Sequence, residues 1–148
     1  MALHAVTATL RDLDIESNRV EMAILACDDA RITVLNADFR DRPTATNVLS
    51  WPSEERGAMR PGAQPRPLHP GPDGLIELGD IAISWDTCRA EALAACKPFE
   101  DHVTHLIIHA TLHLLGYDHQ NAPDAALMEG LEVKILGKLG LDDPYREN

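Results

Sequence analysis

The chain has 148 residues, 45% of them hydrophobic and 4% aromatic, which favours one folded domain with a core built mainly from Leu, Ile, Val and Ala. Its formal net charge of −11 counts against broad, non-specific binding to nucleic acids. No apolar run approaches the roughly 20 residues that cross a bilayer, and the N-terminus lacks a secretory signal, so we expect a cytoplasmic protein with no membrane partner. Cys27, Cys88 and Cys96 have no CxxC spacing, which is typical of reduced thiols.

Before residue 53, hydrophobic periodicity predicts two helices and two strands. The short apolar run VEMAILAC is typical of a strand buried inside a sheet. In chain order the pattern predicts a helix over 2–13, that buried strand over Val20–Cys27, a helix capped by Asp28 or Asp29 and continuing through Asn36, a loop over 39–46, and a strand over 46–51 that Pro52 ends.

Residues 57–74 hold five prolines between Pro61 and Pro72, so we expect a long, Pro/Gly-rich surface loop there. After this loop the pattern predicts a strand over 75–84 with Gly79 at a bulge, a helix capped by Ser84 that runs to about Cys96, a helix from Glu100 or Asp101 to Gly116, and a helix over 123–139. The order α-β-α-β-β-α-α-α predicts an α+β fold, with a mixed β-sheet packed by helices in a single domain over 1–148.

Two histidines, His109 and His113, are four residues apart in the last-but-one predicted helix. Residues at this spacing share a helix face, with Cβ atoms about 6 Å apart, so both imidazoles can reach one metal ion. Zinc peptidases of the H-E-x-x-H type carry a glutamate base directly after the first histidine. Ala110 occupies that position here. The pattern therefore predicts a metal site without the peptidase base.

His119 can join this site only if the helix ends before it. In a continuous helix, His119 would lie about 9 Å beyond His113 along the axis and about 240° around it. Gly116 favours a helix end between them, because glycine adopts the left-handed conformation at low cost. Three histidines leave one position on a tetrahedral zinc ion for water. We therefore predict that His109, His113 and His119 bind one Zn²⁺ per chain.

Other interpretations of these residues stay open. The histidines could be unrelated, or they could form a closed structural site with Cys88 or Cys96 as a fourth ligand. His105 shares the helix face of His109 and could line the cleft. Asp118 is either a carboxylate that orients an imidazole or a turn residue.

The stretch HATLHLLGYDH, from His109 to His119, resembles the signature H-G-x-L-H-L-x-G-Y-D-H of the YbeY family of bacterial endoribonucleases, the rRNA maturation factors. Every fixed position matches except the second, where Ala110 replaces glycine. Upstream, LNADFRDRPTATNVLSWP is similar to the family's L-N-x-x-Y/F-R…T-N-V-L-S-F-P segment, and LGDIAIS is similar to its L-G-D-I-x-I-S strand. Together these segments extend the resemblance from about Val20 to the end of the chain.

The resemblance implies a zincin-like fold and zinc-dependent, single-strand-specific cleavage of RNA, chiefly in maturing the 3′ end of small-subunit rRNA and in ribosome quality control. It implies zinc binding by the three histidines and places Arg40 in their cleft. Arg40 and His113 are the predicted catalytic residues, and Arg40, Thr46, Asn47 and Ser50 the predicted substrate-binding residues. RNA, ribosomal particles and small-subunit proteins are the expected partners. Family members begin with a strand and a longer first helix, so the resemblance implies either that the N-terminal strand is missing here or that this sequence starts after it.

Elementary chemistry agrees with this implication. Zinc lowers the pKa of bound water towards about 7, so a glutamate base is not required. Phosphodiester cleavage also requires stabilisation of charge on the phosphate oxygens, which an arginine provides bidentately. The alternative role for Arg40 is a surface ion pair with Asp38 or Asp41, which would contribute little stability.

Two alternative functions follow from the same residues. A non-catalytic ribosome-assembly factor would use the metal only to hold its fold. A metzincin-type peptidase would match the spacing of His109, His113, Gly116 and His119, but Ala110 opposes it.

Overall fold

Three strands form one mixed sheet at the centre of the computed structural model, which describes residues 1–146. The strands are β1 (Val20–Cys27), β2 (Val48–Pro52) and β3 (Ile76–Ser84), in the order β1-β3-β2, with β1 parallel and β2 antiparallel to β3. The α-helices are α1 (Ala2–Asp12), α2 (Asp29–Arg40), α3 (Trp85–Ala94), α4 (Phe99–Leu114) and α5 (Ala122–Lys138), and a short 3-10 helix covers Ser17–Arg19.

Helices cover both faces of the sheet. On one face, α1, α4 and α5 enclose the larger core, in which Leu10, Ile107 and Met128 are fully buried. On the other face, α2 packs Ile32 against Leu49 and Ala82 in a smaller cluster. The predicted α+β fold with a mixed sheet packed by helices is therefore confirmed. No helix among residues 1–146 is both long enough and apolar enough to span a membrane.

A β-bulge at Gly79 keeps β3 facing the larger core. Ile76 and Leu78 before the bulge and Ile81 and Ile83 after it all contribute to that core. Because side chains alternate along a strand, one extra residue is needed for both pairs to face the same side. The register with β1 skips Leu78, which is the extra residue. Gly79 beside it has φ +135, and a Cβ there would overlap the backbone of β2. The predicted bulge is confirmed.

Helix α2 is longer than predicted. The Asp28 side chain accepts a hydrogen bond from the Arg31 backbone N–H (2.9 Å), and the helix continues to Arg40. Asp41 ends it in the left-handed conformation, with φ 59. The predicted loop over 39–46 is therefore wrong for Phe39 and Arg40, because the turn at Asp41, not the polar composition, ends the helix. As a result, Arg40 lies on the last turn of a rigid helix.

Strand β1 has the predicted bounds but is not buried. It lies at one edge of the sheet, and Glu21, Ala23 and Leu25 on its outer positions are exposed. An apolar run gives a strand's preference for burial but not its place in the sheet, which depends on pairing with distant strands.

Residues 57–74 form the predicted loop, with turns but no helix or strand. The loop is fastened to the segment that follows α4. The Gly62 N–H donates to Asp124 (2.7 Å), and the Tyr117 hydroxyl donates to Gln64 (3.1 Å). At its base, Arg56 is only 3% exposed and donates to the carbonyls of Leu78 and Leu114. Arg56 is therefore a buried structural residue and not part of a basic surface.

Candidate metal centre

Helix α4 brings the first two histidines together on the side that faces β2. The Nε2 atoms of His109 and His113 are 3.1 Å apart, and their ring centroids are 4.6 Å apart. The rings are nearly perpendicular, so both nitrogens point into the same space. The i, i+4 spacing thus gives the convergence that the sequence predicted.

The end of α4 returns the third histidine to this point. Gly116 has φ +105, its N–H donates to the His113 carbonyl, and the Tyr117 N–H donates to the Leu112 carbonyl, both at 3.0 Å. These two bonds form a Schellman motif, which satisfies carbonyls at the helix end while the chain reverses. The His119 ring centroid then lies 5.3 Å from that of His109 and 5.2 Å from that of His113.

The three imidazoles fit a metal ion. Their ligand nitrogens lie within 4.8 Å of one another, and no fourth His, Cys, Asp or Glu completes the group in residues 1–146. Burial and the neighbouring His109 lower the pKa of His113 to about 4, so the imidazole is in the neutral form that binds metal. Three nitrogen ligands with a remaining open position are typical of catalytic zinc. The site therefore fits a metal ion in an open centre and not in a closed structural one.

A buried carboxylate orients His109. Glu132 on α5 is 0% exposed and is hydrogen-bonded to Nδ1 of His109, which leaves Nε2 for the metal. The Tyr145 hydroxyl donates to the same carboxylate, and His105 lies 3.8 Å from it. Burial alone would raise the pKa of Glu132, but the nearby His105 ring and the hydrogen bonds from His109 and Tyr145 outweigh it and lower this pKa to about 2. Glu132 is therefore ionised.

Of the two roles left open for Asp118, the geometry favours the turn residue over the carboxylate that orients an imidazole. The Nδ1 atom of His113 is 3.0 Å from the Tyr117 carbonyl oxygen but 4.0 Å from the Asp118 carboxylate, which is too long for a hydrogen bond. Asp118 instead accepts from the backbone N–H of His119 (2.8 Å). The reversal at Gly116 turns a backbone carbonyl, and not a side chain, towards His113.

Sequence reasoning missed Glu132, although the sequence contains a signal for it. Glu132 lies on the buried face of α5, four residues after Met128 and three before Ile135. A charged residue inside an apolar helical stripe is costly unless it is paired. Its position therefore pointed to a buried polar partner, which the structure shows to be His109.

The metal centre lies between two adjoining cavities. The first, called here the Tyr145 cavity, has a volume of about 280 Å³. The second, called the Asp118 cavity, has a volume of about 340 Å³. The residues that line both cavities are Arg40, Ser50, His113 and His119. The metal centre is thus open to a cleft that continues on both sides of it.

The predicted substrate-binding residues differ in their positions. Arg40 donates to the backbone carbonyl of Ser50 (2.9 Å), and within residues 1–146 it makes no ion pair with Asp38 or Asp41. Asn47 lines the Tyr145 cavity. Thr46 precedes β2 and lines neither cavity, so the structure gives it no place in the cleft.

The side-chain amide of Asn47 is already engaged. Its nitrogen donates to Glu91 (3.1 Å), and its oxygen accepts from the Val48 N–H (2.6 Å). Asn47 therefore holds the start of β2 against α3. Because its amide is already hydrogen-bonded within the protein, it is not free to bind a substrate.

Within residues 1–146, no carboxylate stands where a peptidase base would, directly after the first histidine. Ala110 lines the Tyr145 cavity and is 1% exposed. Glu132 lies behind His109, on the ring nitrogen that faces away from the metal position. An α+β fold with three convergent imidazoles and an open coordination position defines the class: a metal-dependent hydrolase.

Comparison with known proteins gives the particular family. A family model described as Endoribonuclease YbeY matches residues 1–140. The Endoribonuclease YbeY of Ruegeria pomeroyi is 58% identical over 147 residues, covering 98% of this chain and 88% of the relative. That of Dinoroseobacter shibae is 56% identical over 145 residues, covering 98% and 80%. The chain belongs to the YbeY endoribonuclease family, which confirms the resemblance of its motifs.

A solved structure supports the fold. The solution structure of TM1509 from Thermotoga maritima matches with a TM-score of 0.55, covering 99% of this chain and 92% of that one. The two chains are 20% identical, so this likeness supports the fold alone.

Proposed function

We propose that this chain is a zinc-dependent endoribonuclease that cleaves single-stranded RNA in the cytoplasm. Its proposed task is maturation of the 3′ end of small-subunit rRNA and ribosome quality control, as the family resemblance implies. The observation that carries the proposal is the convergence of His109, His113 and His119 in a cleft that Arg40 also lines.

His109, His113 and His119 would hold the ion through one nitrogen each. A bound zinc ion would supply Lewis acidity and make water a better nucleophile near neutral pH. Glu132 fixes the ring of His109, and the Tyr117 carbonyl fixes the ring of His113. These contacts hold two ligands in place before substrate binds, so little reorganisation is required during the reaction.

Arg40 would bind the scissile phosphate. A guanidinium has five N–H donors, and the hydrogen bond to Ser50 uses one of them. That bond holds Arg40 against β2, where it lines both cavities beside the metal centre. The remaining donors can contact two phosphate oxygens and stabilise the charge that develops on them.

The acidic balance of the chain suits recognition inside a cleft. A net charge of −11 disfavours long contacts between the protein surface and RNA phosphates. Arg40 supplies positive charge at the reacting phosphate, and ribosomal particles or small-subunit proteins would supply further affinity. The proposed substrate is therefore RNA presented in a ribosomal context.

The test combines metal content with RNA cleavage by highly purified protein. We expect about one zinc per chain in the wild type, cleavage of single-stranded RNA that a chelator abolishes, and no cleavage by His113→Ala, because two imidazoles hold the ion too weakly. Arg40→Ala is expected to retain zinc but to lose turnover about 100-fold or more, because it removes stabilisation of the phosphate charge. Metal analysis and a single-turnover cleavage assay measure both effects.

His69→Ala is the matched control, because the His69 side chain is 71% exposed and lines neither cavity. It should keep both zinc and activity. Cleavage that persists in His113→Ala would contradict the proposal. Zinc-bound wild type that never cleaves RNA, together with unfolding on metal removal, would favour the non-catalytic assembly factor.

A further inference from the structure

Tyr145 presents an aromatic ring to the cleft beside the metal centre. Its side chain lines the Tyr145 cavity and the residue is 41% exposed, so part of the ring surface is free. Its hydroxyl donates to Glu132, and its ring packs edge-on against His105 with centroids 5.7 Å apart. The ring therefore has a fixed orientation, which lowers the entropic cost of packing a planar ligand against it.

The walls of this cavity suit a flat apolar ligand. The apolar lining residues are Val48, Leu49, Leu106 and Ala110. The volume of about 280 Å³ lies just below the range typical of pockets for drug-sized ligands, about 300–1,000 Å³, so only a small ring system fits. One planar ring system fits this space and this chemistry better than a second phosphate does.

The opposite cavity differs in chemistry. The charged residues that line the Asp118 cavity, apart from the shared Arg40, are Glu55, Arg56 and Asp118. Carboxylates there repel phosphate groups and accept hydrogen bonds from sugar hydroxyls or amino groups. Tyr117 and Pro52 also line the Asp118 cavity, but the aliphatic residues Val48, Leu49 and Leu106 line the Tyr145 cavity and not the Asp118 cavity. The two sides of the metal centre are therefore not equivalent for a bound strand.

We propose that the Tyr145 cavity binds the base of one unpaired nucleotide next to the scissile phosphate, stacked on the ring of Tyr145; this inference rests on the proposed function. A base can enter the cavity only when it leaves its own stack and pair, which gives a physical reason for single-strand specificity. Any base can stack on an aromatic ring. The amide of Asn47 is already hydrogen-bonded within the protein, so it contributes little to recognising the edge of a particular base. The subsite is therefore general for bases and not specific to one sequence.

The test uses a short single-stranded oligoribonucleotide that the wild type cuts at one bond. Two further versions lack the base on the nucleotide before or after that bond. In the wild type, loss of one of these two bases should lower kcat/KM by about tenfold or more, mainly through KM, because stacking on an aromatic ring is a binding term. Tyr145→Ala should show the same loss with the intact oligonucleotide and no further loss when that base is absent.

Two variants separate stacking from other roles of the residue. Tyr145→Phe keeps the ring but loses the hydrogen bond to Glu132, so it should retain the effect of base removal. If Tyr145→Phe loses as much as Tyr145→Ala, the tyrosine acts through Glu132 and the subsite is wrong. Trp85→Ala removes an aromatic residue of similar exposure, 40%, that lines neither cavity, and it should keep the wild-type response.

The outcomes also separate this inference from the proposed function. Wild type that cleaves no RNA overturns the function. Wild type that cleaves RNA but shows no penalty for either missing base, or the same penalty in Tyr145→Ala, overturns the subsite and leaves the function in place.

Discussion

The two sides of the metal centre are held by different means. On the His109 side, the fully buried Glu132 fixes the imidazole, and Tyr145 in turn contacts Glu132. On the His119 side, the ligand is exposed and follows a chain reversal at Gly116, with no buried partner for its ring within residues 1–146. One side depends on a hydrogen-bonded carboxylate, and the other depends on backbone conformation.

This difference assigns different tasks to the two sides. A buried, charged hydrogen bond gives the metal a rigid, strongly basic ligand. An exposed ligand on a turn leaves the coordination position beside it accessible to water and substrate. Changes at Gly116, at Glu132 and in the protonation of His113 therefore test the two sides separately.

The largest effect is expected for Gly116→Ala. An L-residue at φ +105 is strained, and its Cβ would overlap the carbonyl of Arg56, whose side chain is buried at the base of the 57–74 loop. Backbone strain costs about 1–3 kcal/mol, and relieving the overlap must move either the loop or His119. We expect a loss of at least about 2 kcal/mol in the free energy of unfolding and a large loss of zinc affinity. Denaturant unfolding and chelator competition measure the two losses.

Gly130→Ala is the control for that change. Gly130 lies within α5, and a Cβ there meets nothing within 4 Å. Alanine in a helix interior is favoured over glycine by about 0.8–1.0 kcal/mol, so this variant should be slightly more stable with unchanged zinc affinity. Equal destabilisation by both substitutions would show that Gly116 has no special conformational role.

A smaller effect is expected for Glu132→Gln, which keeps the side-chain shape but removes the charge from the partner of His109. Loss of such a partner lowers metal affinity by about 10- to 100-fold. Competition with a chromophoric chelator measures the zinc affinity directly. Asp118→Asn is the matched control, because the Asp118 side chain is half-buried and lies 4.0 Å from His113, and it should change the affinity by less than about threefold. A greater loss for Asp118→Asn than for Glu132→Gln would reverse the roles we assign to the two carboxylates.

The smallest effect concerns the pH dependence of the metal-free protein. The pKa of His113 is about 4 in the folded protein, below its ordinary value of 6.5, because of burial and the neighbouring His109. A lowered folded pKa means that protons bind the unfolded state more readily, so stability falls as pH falls through this range. Between about pH 6.5 and about pH 5.5 we expect a loss of about 1 kcal/mol from this group.

Denaturant unfolding of the metal-free protein at several pH values measures this slope. His113→Ala should flatten it over that range, whereas His69→Ala, at an exposed histidine, should leave it unchanged. A slope that survives in His113→Ala would assign the pH dependence to other groups.

Much of the metal centre follows from local rules. The face shared by His109 and His113 is a property of helix geometry, and the turn at Gly116 is a property of glycine. Arg40 was placed near the metal by its motif, but its position in a helix was not predicted. The segment from Phe39 onwards is polar, which is typical of a loop, and only the structure shows that α2 continues to Arg40 and ends at Asp41. Thr46 was selected from its motif and Asp118 from its place next to His119, and neither criterion gives the direction of a side chain.

Local pattern alone was sufficient for the order of the helices and strands, for the bulge at Gly79 and for the three converging histidines, because each depends on residues close together in the sequence. The pairing order of the strands, the exposure of β1, the contact between Glu132 and His109, and the two unlike cavities needed the tertiary structure. Each of these joins residues more than 20 positions apart, and their meeting depends on how whole elements pack. The spacing of residues along the chain determines which side chains share a face of one helix or strand. Which helices and strands contact each other depends on how they pack in the tertiary structure.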